Sequence, residues 1–191
     1  SNILDYEIKN SYSVRIRVTD NTSLFYEESI TISVNDLPNY TITFNNNTGS
    51  GSMSTLSIEQ GASANLTSNG FTKTNYTFAS WNTTQIGSGS SYSDASSYTM
   101  GPGDLTLYAQ WVLNTYTITF DANGGSGSNT NQTIEHNVSE NLDSNPFSKT
   151  GYTFASWNTQ ADGLGTDISD GASYTMSSAN NVTLYAKWTV N

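Results

Sequence analysis

Few side chains in this sequence have the types and spacing that acid–base or metal chemistry requires. His136 is the single histidine and there is no cysteine, which excludes a disulfide framework, a thiolate zinc site and any site with two imidazoles. The carboxylates of Asp162, Asp167 and Asp170 lie in one glycine-punctuated stretch, but they lack the regular ligand alternation of an EF-hand loop. We interpret this stretch as a turn, with a calcium loop as the alternative.

The sequence contains an internal repeat, and this repeat determines which strands and turns would position such groups. The sequence Tyr-Thr-Ile-Thr-Phe at 40–44 recurs at 116–120, an offset of about 76 residues, which is in the range of small tandem modules. Further blocks recur in the same order, 76–83 at 152–159 and, after one inserted residue, 105–111 at 182–188. Two copies this similar must share one fold.

Each copy opens and closes with a segment typical of a half-buried strand. In the opening segment, large apolar residues alternate with threonines, which is the period of a strand. The closing segment has one apolar face, formed by Leu105, Leu107, Ala109 and Trp111 in the first copy and by Val182, Leu184, Ala186 and Trp188 in the second. Helix is expected at most as one turn near 63–66 and 139–142, because Asn and Ser are weak helix formers.

Catalysis is not expected, because no acid–base group belongs to the pattern that the two copies share. A hydrolase needs a nucleophile with a base, or two carboxylates on one wall of a cleft. His136 is matched by Gln60 in the first copy, and Asp162 and Asp167 are matched by Ile86 and Ser91. We therefore predict that the protein is not an enzyme.

The aromatic side chains allow two interpretations, a buried core or a set of sugar-stacking platforms. Each Trp or Phe can bury about 150–250 Å², so these residues are expected to dominate the core of a unit this small. Tyr108 and Tyr185 lie on the face opposite the apolar stripe of the closing strand. We predict these two as the candidate ligand contacts, with a glycan or a host protein as the ligand.

The repeated blocks closely resemble the Listeria-Bacteroides repeat, also called the internalin B-repeat. The resemblance covers 40–188 and rests on Tyr-Thr-Ile-Thr-Phe-Asp-Ala-Asn-Gly-Gly, Lys-Thr-Gly-Tyr-Thr-Phe-Ala-Ser-Trp-Asn-Thr and Val-Thr-Leu-Tyr-Ala-Lys-Trp in this order. It implies a compact β-grasp-like, ubiquitin-like fold in tandem arrays on bacterial surface proteins. The first copy departs from the second at 45–48 and at Asn75, positions that we expect in turns.

The first 38 residues differ from the repeat. Alternating apolar residues at 12–18 and 30–34 predict two adjacent strands joined by a turn at 20–23, and two strands alone are at best marginally stable. We interpret them as the end of a β-sandwich. Leu-Asp-Tyr-Glu, Val-Thr-Asp and Val-Asn-Asp-Leu-Pro resemble the last third of a cadherin-like domain. The resemblance implies a partial calcium site with the ligands Asp5, Glu7, Asn35 and Asp36.

Charge and hydropathy limit the partners. Sixteen acidic and six basic residues give a net charge of -10, which repels phosphate backbones and anionic lipids. No apolar run is long enough to span a membrane, so neither nucleic acid binding nor membrane insertion is expected. The first residues have neither the basic start nor the apolar stretch of a signal peptide, so we expect a part of a longer protein.

The sequence therefore predicts a mainly β protein with two tandem β-grasp-like repeats after a β-sandwich fragment. The predicted boundaries are 1–38, 39–113 and 114–191. The predicted function is a non-catalytic structural spacer or adhesion segment of an extracellular bacterial cell-surface protein, with glycan or host-protein binding as the alternative. Neighbouring repeats are the expected partners, and no cofactor is expected apart from calcium at the N-terminal fragment.

Overall fold

The computed structural model describes residues 11–191, and this part of the chain is built from strands, turns and loops without a helix. The prediction of a mainly β fold is confirmed. In residues 11–191 there is accordingly no helix of the length and apolarity that a membrane span requires.

The N-terminal segment forms the predicted hairpin of two strands, β1 (Ser11–Thr19) and β2 (Phe25–Ser33). The Asp20 carboxylate closes its turn by accepting hydrogen bonds from the backbone N–H groups of Thr22 and Leu24, at 2.8 and 3.0 Å. One face of the hairpin is apolar and exposed. Its assignment to a cadherin-like β-sandwich stays a prediction.

Each repeat contains seven strands in the same order. Those of the first are β3 (Asn39–Asn45), β4 (Leu56–Glu59), β5 (Ser63–Asn65), β6 (Tyr76–Asn82), β7 (Ser91–Tyr92), β8 (Ser97–Thr99) and β9 (Leu105–Leu113). Those of the second are β10 (Thr115–Asp121), β11 (Thr130–Glu135), β12 (Ser139–Asn141), β13 (Tyr152–Asn158), β14 (Asp167–Ile168), β15 (Ser173–Thr175) and β16 (Val182–Val190).

The two repeats have the same sheet topology. The strand order is β4-β3-β9-β6-β7 in the first and β11-β10-β16-β13-β14 in the second. In the second repeat the opening strand β10 and the closing strand β16 are parallel neighbours, in register from Ile118 with Val182 to Asp121 with Tyr185. This central parallel pair between antiparallel neighbours is the arrangement expected of a β-grasp-like sheet.

The expectation of a helical turn near 63–66 and 139–142 was wrong. These residues form the short strands β5 and β12, which pair with β8 and β15. Hydroxyl groups bond across both pairs, Ser63 with Thr99 at 2.7 Å and Ser139 with Thr175 at 2.5 Å. Ser and Asn lose little by leaving the helical conformation, so these cross-strand contacts determine the local structure.

The described residues divide into two compact units. The first extends to Asn45 and includes Ser54–Ser68 and Asp94–Leu107, and the second comprises Asn46–Met53, Asn69–Ser93 and Tyr108–Asn191. The division runs through the first repeat, whereas the second repeat lies wholly in the second unit. The domain boundaries at 38 and 113 therefore stay a prediction.

Trp157 lies at the centre of the core of the second repeat and is completely buried. Phe120, Phe154 and Phe147 surround it, with ring centroids 4.7, 5.1 and 6.0 Å from its own. Nine apolar positions are buried in both repeats: Ile42, Phe44, Ile58, Leu66, Phe71, Trp81, Met100, Leu107 and Ala109 in the first, and Ile118, Phe120, Ile134, Leu142, Phe147, Trp157, Met176, Leu184 and Ala186 in the second. The expectation that aromatic residues dominate the core is confirmed for the equivalent residues Trp81 and Trp157, which are both fully buried.

A β-bulge makes this core possible. Phe154 and Trp157 are three residues apart, and in a regular strand their side chains would point to opposite faces. The pairing of β13 with β16 shifts by one residue between Phe154 and Ser156, which leaves Ala155 as the extra residue of a bulge. Both rings therefore lie on the core side, and the same shift occurs between Phe78 and Ser80 in β6.

Despite the sequence differences at 45–48, the two repeats form the same turn. Asn47 and Thr48 have φ angles of 46° and 70°, close to the 45° and 79° of Asn123 and Gly124. A β-branched residue at positive φ is strained, whereas glycine is not. The first repeat thus keeps the turn of the second with a residue that fits it less well.

We predict that Thr48→Gly stabilises the first repeat by about 0.5–1 kcal/mol, because the strain that it removes outweighs its two costs. These are the exposed hydrogen bond from Lys73 Nζ to Thr48 Oγ1 and the larger conformational freedom of glycine in the unfolded chain. Urea denaturation followed by tryptophan fluorescence measures the change. The reciprocal control, Gly124→Thr, should destabilise the second repeat. A loss of stability with Thr48→Gly would contradict the strain argument.

A second prediction concerns Gly49, which lies under the Trp111 ring. A Cβ atom there would be 2.8 Å from both the Thr72 carbonyl oxygen and Trp111 Cζ2, so Gly49→Ala should lower the free energy of unfolding by about 1–3 kcal/mol. Gly125→Ala should act alike, since its Cβ would be 2.7 Å from Trp188 Cζ2. Gly103→Ala is the control, because open space surrounds that position and the change should stay within about 0.5 kcal/mol.

Candidate binding surface

Tyr108 and Tyr185, the predicted ligand contacts, are half-buried in the closing strands. Each lies between two fully buried residues of the opposite face, which confirms the predicted alternation along the strand. Tyr185 stands in register with Asp121 on one side and Asn158 on the other. Their ligand contacts stay a prediction.

A buried asparagine organises the loop beside Tyr185. The Asn158 side chain is 1% exposed, and its Nδ2 donates to the Gly163 and Gly165 carbonyl oxygens at 3.3 and 3.2 Å and to Asp167 Oδ1 at 2.6 Å. Its Oδ1 accepts from the backbone N–H groups of Gln160 and Gly165, at 2.9 and 3.1 Å. The two N–H donors and the carbonyl oxygen of this buried amide are therefore fully satisfied by the loop that folds over it.

The first repeat contains the same arrangement around Asn82. Its Nδ2 donates to the Gly87 and Gly89 carbonyl oxygens, both at 3.2 Å, and to Ser91 Oγ at 2.9 Å. Its Oδ1 accepts from the Thr84 and Gly89 backbone N–H groups. The sequence analysis assigns no role to these two asparagines, although their recurrence directly after the core tryptophan in both copies is a signal that could identify them.

A second pair of asparagines ties the opening turn to this loop. Asn123 Nδ2 donates to the Ala161 and Ala186 carbonyl oxygens at 2.8 and 3.1 Å, and Asn47 Nδ2 donates to Gln85 and Ala109 at 2.9 and 2.8 Å. The loop of each repeat is therefore fixed by two asparagine side chains, the buried one in the strand before the loop and the one in the opening turn.

An open cleft of about 370 Å³ lies between this loop and the closing strand of the second repeat. Tyr152 is 38% exposed there, and Lys149 Nζ stands 4.6 Å from the centroid of its ring. Trp188 also lines the cleft, held by a 3.0 Å hydrogen bond from its Nε1 to the Ala122 carbonyl oxygen. Aromatic faces beside an ammonium group can contact a sugar ring or a carboxylate.

The second lysine of the cleft is already paired. Lys187 Nζ donates to Asp167 Oδ2 at 2.8 Å and to Oδ1 at 3.1 Å. This bond, with the one from Asn158, holds the pKa of Asp167 below its usual value. The pair therefore stabilises the folded repeat above the ordinary titration range of an aspartate, and this stabilisation is lost as the pH falls through the lowered folded pKa.

The remaining candidate groups serve turns or the core. Asp162 Oδ1 accepts from the Leu164 backbone N–H at 3.0 Å and Asp170 Oδ1 from that of Asn145 at 2.8 Å, in agreement with the interpretation of this stretch as a turn. His136 is buried, with its ring 5.9 Å from that of Tyr116.

The predicted calcium ligands fall at the edge of the described structure. Asn35 and Asp36 are exposed, whereas Asp5 and Glu7 lie outside the described residues. Over 11–191, no group of three or more acidic or histidine side chains is placed to hold a metal ion. The calcium site stays a prediction.

We predict that Asn158→Asp destabilises the second repeat by about 3–5 kcal/mol, because it buries a carboxylate against two carbonyl oxygens and the Asp167 carboxylate. Urea denaturation and hydrogen exchange of residues 159–166 measure the effect.

Asn82→Asp provides the matched comparison and should cost at least about 1 kcal/mol less, because the Ser91 hydroxyl can donate to the new carboxylate whereas Asp167 cannot. The exposed Asn180→Asp controls for the added charge. Equal losses at positions 82 and 158 would contradict this argument, because they would show that the neighbouring residue, Ser91 or Asp167, does not determine the cost.

Comparison with known proteins agrees with the repeat architecture. The chain is 40% identical over 126 residues, 62% of its length, to a protein of Evansella cellulosilytica whose name describes a Gly-rich membrane protein. It is 36% identical over 123 residues, 63% of its length, to Internalin H of Listeria monocytogenes. The matched parts are 14% and 20% of those proteins, so the chain spans a fifth or less of either. The Listeria-Bacteroides repeat domain matches residues 40–110 and 116–187. The chain belongs to the Listeria-Bacteroides repeat family and carries two tandem copies of the repeat.

Proposed function

We propose that this chain is a non-catalytic spacer or adhesion segment of a bacterial cell-surface protein. The observation that carries the proposal is the direct succession of two equivalent repeats, in which Asn114 alone separates β9 from β10. The names of the relatives support a surface location, since one is called a membrane protein and the other is Internalin H.

The topology of the repeat supports a spacer role. Because β10 and β16 are parallel, the chain enters the second repeat at one end of the sheet and leaves it at the other. A strand of this length spans on the order of 20 Å, so the second repeat separates its two ends by at least that distance. A module with both ends on the same side would add little reach.

The side chains support a non-catalytic role. Asp162 and Asp170 accept hydrogen bonds from backbone N–H groups, and Asp167 is paired with Lys187. His136 is packed against Tyr116. The net charge of -10 argues against nucleic acid and anionic membranes as partners. Any calcium would act at the N-terminal fragment and leave the repeats unaffected.

Binding of a glycan or a host protein is the second candidate function. The observation that favours it is the cleft of the second repeat, where the exposed Tyr152 ring and the Lys149 ammonium group stand together. In the first repeat Lys73 and Tyr76 form the same pair at 4.2 Å, so the feature recurs. Tyr108 and Tyr185 would contribute as neighbours of this loop.

A surface-display experiment tests the spacer proposal. The complete chain, with an epitope tag at its N-terminus and a cell-wall anchor at its C-terminus, is compared with a variant that lacks 115–191. We expect the antibody to label the shortened variant several-fold more weakly, because the tag lies closer to the cell wall. The variants Lys149→Ala and Tyr152→Ala should label like the complete chain. Labelling that does not depend on length would refute the spacer role.

A glycan array with the complete chain tests the second function. Reproducible binding to one class of glycan that Tyr152→Ala abolishes and Tyr12→Ala leaves intact would favour a binding module. Uniform absence of binding would leave the spacer function as the better account.

A further inference from the structure

Asn114, the single residue between the two repeats, forms hydrogen bonds to both of them. Its backbone N–H donates to the Asn75 carbonyl oxygen at 2.9 Å, and its Oδ1 accepts from Thr77 Oγ1 at 2.7 Å, both at the start of β6 in the first repeat. Its backbone carbonyl oxygen accepts from the His136 N–H at 2.9 Å, at the end of β11 in the second repeat. One residue thus bonds to a strand end in each of the two sheets.

The equivalent position after the second repeat forms the same upstream bonds. The Asn191 N–H donates to the Gly151 carbonyl oxygen at 3.1 Å, and Thr153 Oγ1 donates to Asn191 Oδ1 at 2.5 Å. Gly151 and Thr153 stand where Asn75 and Thr77 stand in the first repeat. The upstream half of the junction is therefore common to both repeats.

The equivalent position before the first repeat forms the downstream bond alone. The Pro38 carbonyl oxygen accepts from the Gln60 N–H at 2.9 Å, as that of Asn114 does from His136. Proline has no N–H and no side-chain acceptor, so Pro38 cannot form the upstream bonds. The three positions together show a junction of two separable halves, and Asn114 joins them.

Because Asn114 is bonded to both repeats, loss of structure in the second repeat affects its bonds to the first. If β11 or the residues after it open, the Asn114 carbonyl loses its partner, and the hydrogen bonds on its N–H and Oδ1 lose part of their geometric support. A flexible linker of several residues would absorb such a change, but one residue between two strands has no freedom to do so.

We propose that Asn114 couples the stability of the two repeats and that Asn191 offers the same upstream half-junction as a docking point for a further copy of this repeat. The further copy would bind as the two present copies do. Its backbone N–H at the position of Gln60 and His136 would donate to the carbonyl oxygen of the junction residue.

Native-state hydrogen exchange of the complete chain tests the coupling. Gly125→Ala destabilises the second repeat, and exchange is followed in β6 of the first, at Tyr76–Asn82. With Asn114 in place, we expect the variant to accelerate exchange in β6 at least about fivefold, the lower end of typical coupling between sites. Gly124→Thr serves as a milder perturbation if Gly125→Ala does not fold. Unchanged exchange in β6 would overturn the proposal.

The junction variants locate the coupling. Asn114→Pro removes the upstream bonds and retains the carbonyl, as in Pro38. In this chain Gly125→Ala should still accelerate hydrogen exchange in the second repeat but should no longer accelerate it in β6. Asn191→Pro, the matched control, removes the equivalent bonds at the end of the second repeat and should leave transmission to β6 intact. Equal transmission in the Asn114→Pro chain would show that coupling does not pass through this residue.

A three-repeat chain tests the docking point. A copy of 115–191 joined directly after Asn191 should lower exchange at the Gly151–Thr153 edge severalfold relative to the same copy joined through a Gly-Ser-Gly-Ser spacer. Identical exchange in the two chains would overturn the assignment of Asn191.

Discussion

Two adjacent residues of one strand, Trp157 and Asn158, are both buried, and most of the second repeat is arranged around that constraint. Neighbouring residues of a strand point to opposite faces, so burial of both requires a cover on each side of the sheet. On the Trp157 side the cover is the aromatic and aliphatic core. On the Asn158 side it is the loop that follows, which supplies five hydrogen-bonding partners to one amide.

This constraint explains where the two repeats can differ. The phenylalanines that contact the core tryptophan keep their residue type in both repeats, whereas the loop over the buried asparagine exchanges an ion pair for neutral groups. Asp167 and Lys187 of the second repeat stand where Ser91 and Gln110 stand in the first, and the Asn82 amide still finds an acceptor in Ser91. The backbone of the loop is determined by the amide, so its outer side chains are free to vary.

Much of the fold could be predicted from the sequence, because the opening and closing strands show a clear period of two and the core aromatics recur in both copies. The bulge could not be predicted, because a spacing of three between Phe154 and Trp157 does not fit the period of two of a regular strand, and only the pairing with β16 shows the extra residue. The short strands β5 and β12 were wrongly expected as helical turns because three residues show no period at all. The buried asparagines were overlooked as site residues, since asparagine is ordinarily exposed and only the folded loop supplies its partners. The two tyrosines were placed on the correct face, but their half-burial depends on strands that are distant in sequence.

The opening strands of the two repeats are identical over Tyr-Thr-Ile-Thr-Phe, and this identity has a consequence for how the chain folds. In an unfolded chain the opening strand of the first repeat meets two chemically equivalent closing strands, one about twice as far along the chain as the other. Loop-closure entropy favours the nearer one by only about 0.6 kcal/mol, a preference of roughly threefold. Refolding from denaturant therefore admits a substantial fraction of chains in which strands are exchanged between repeats. Synthesis on the ribosome avoids this competition, because the first closing strand is available before the second has been made.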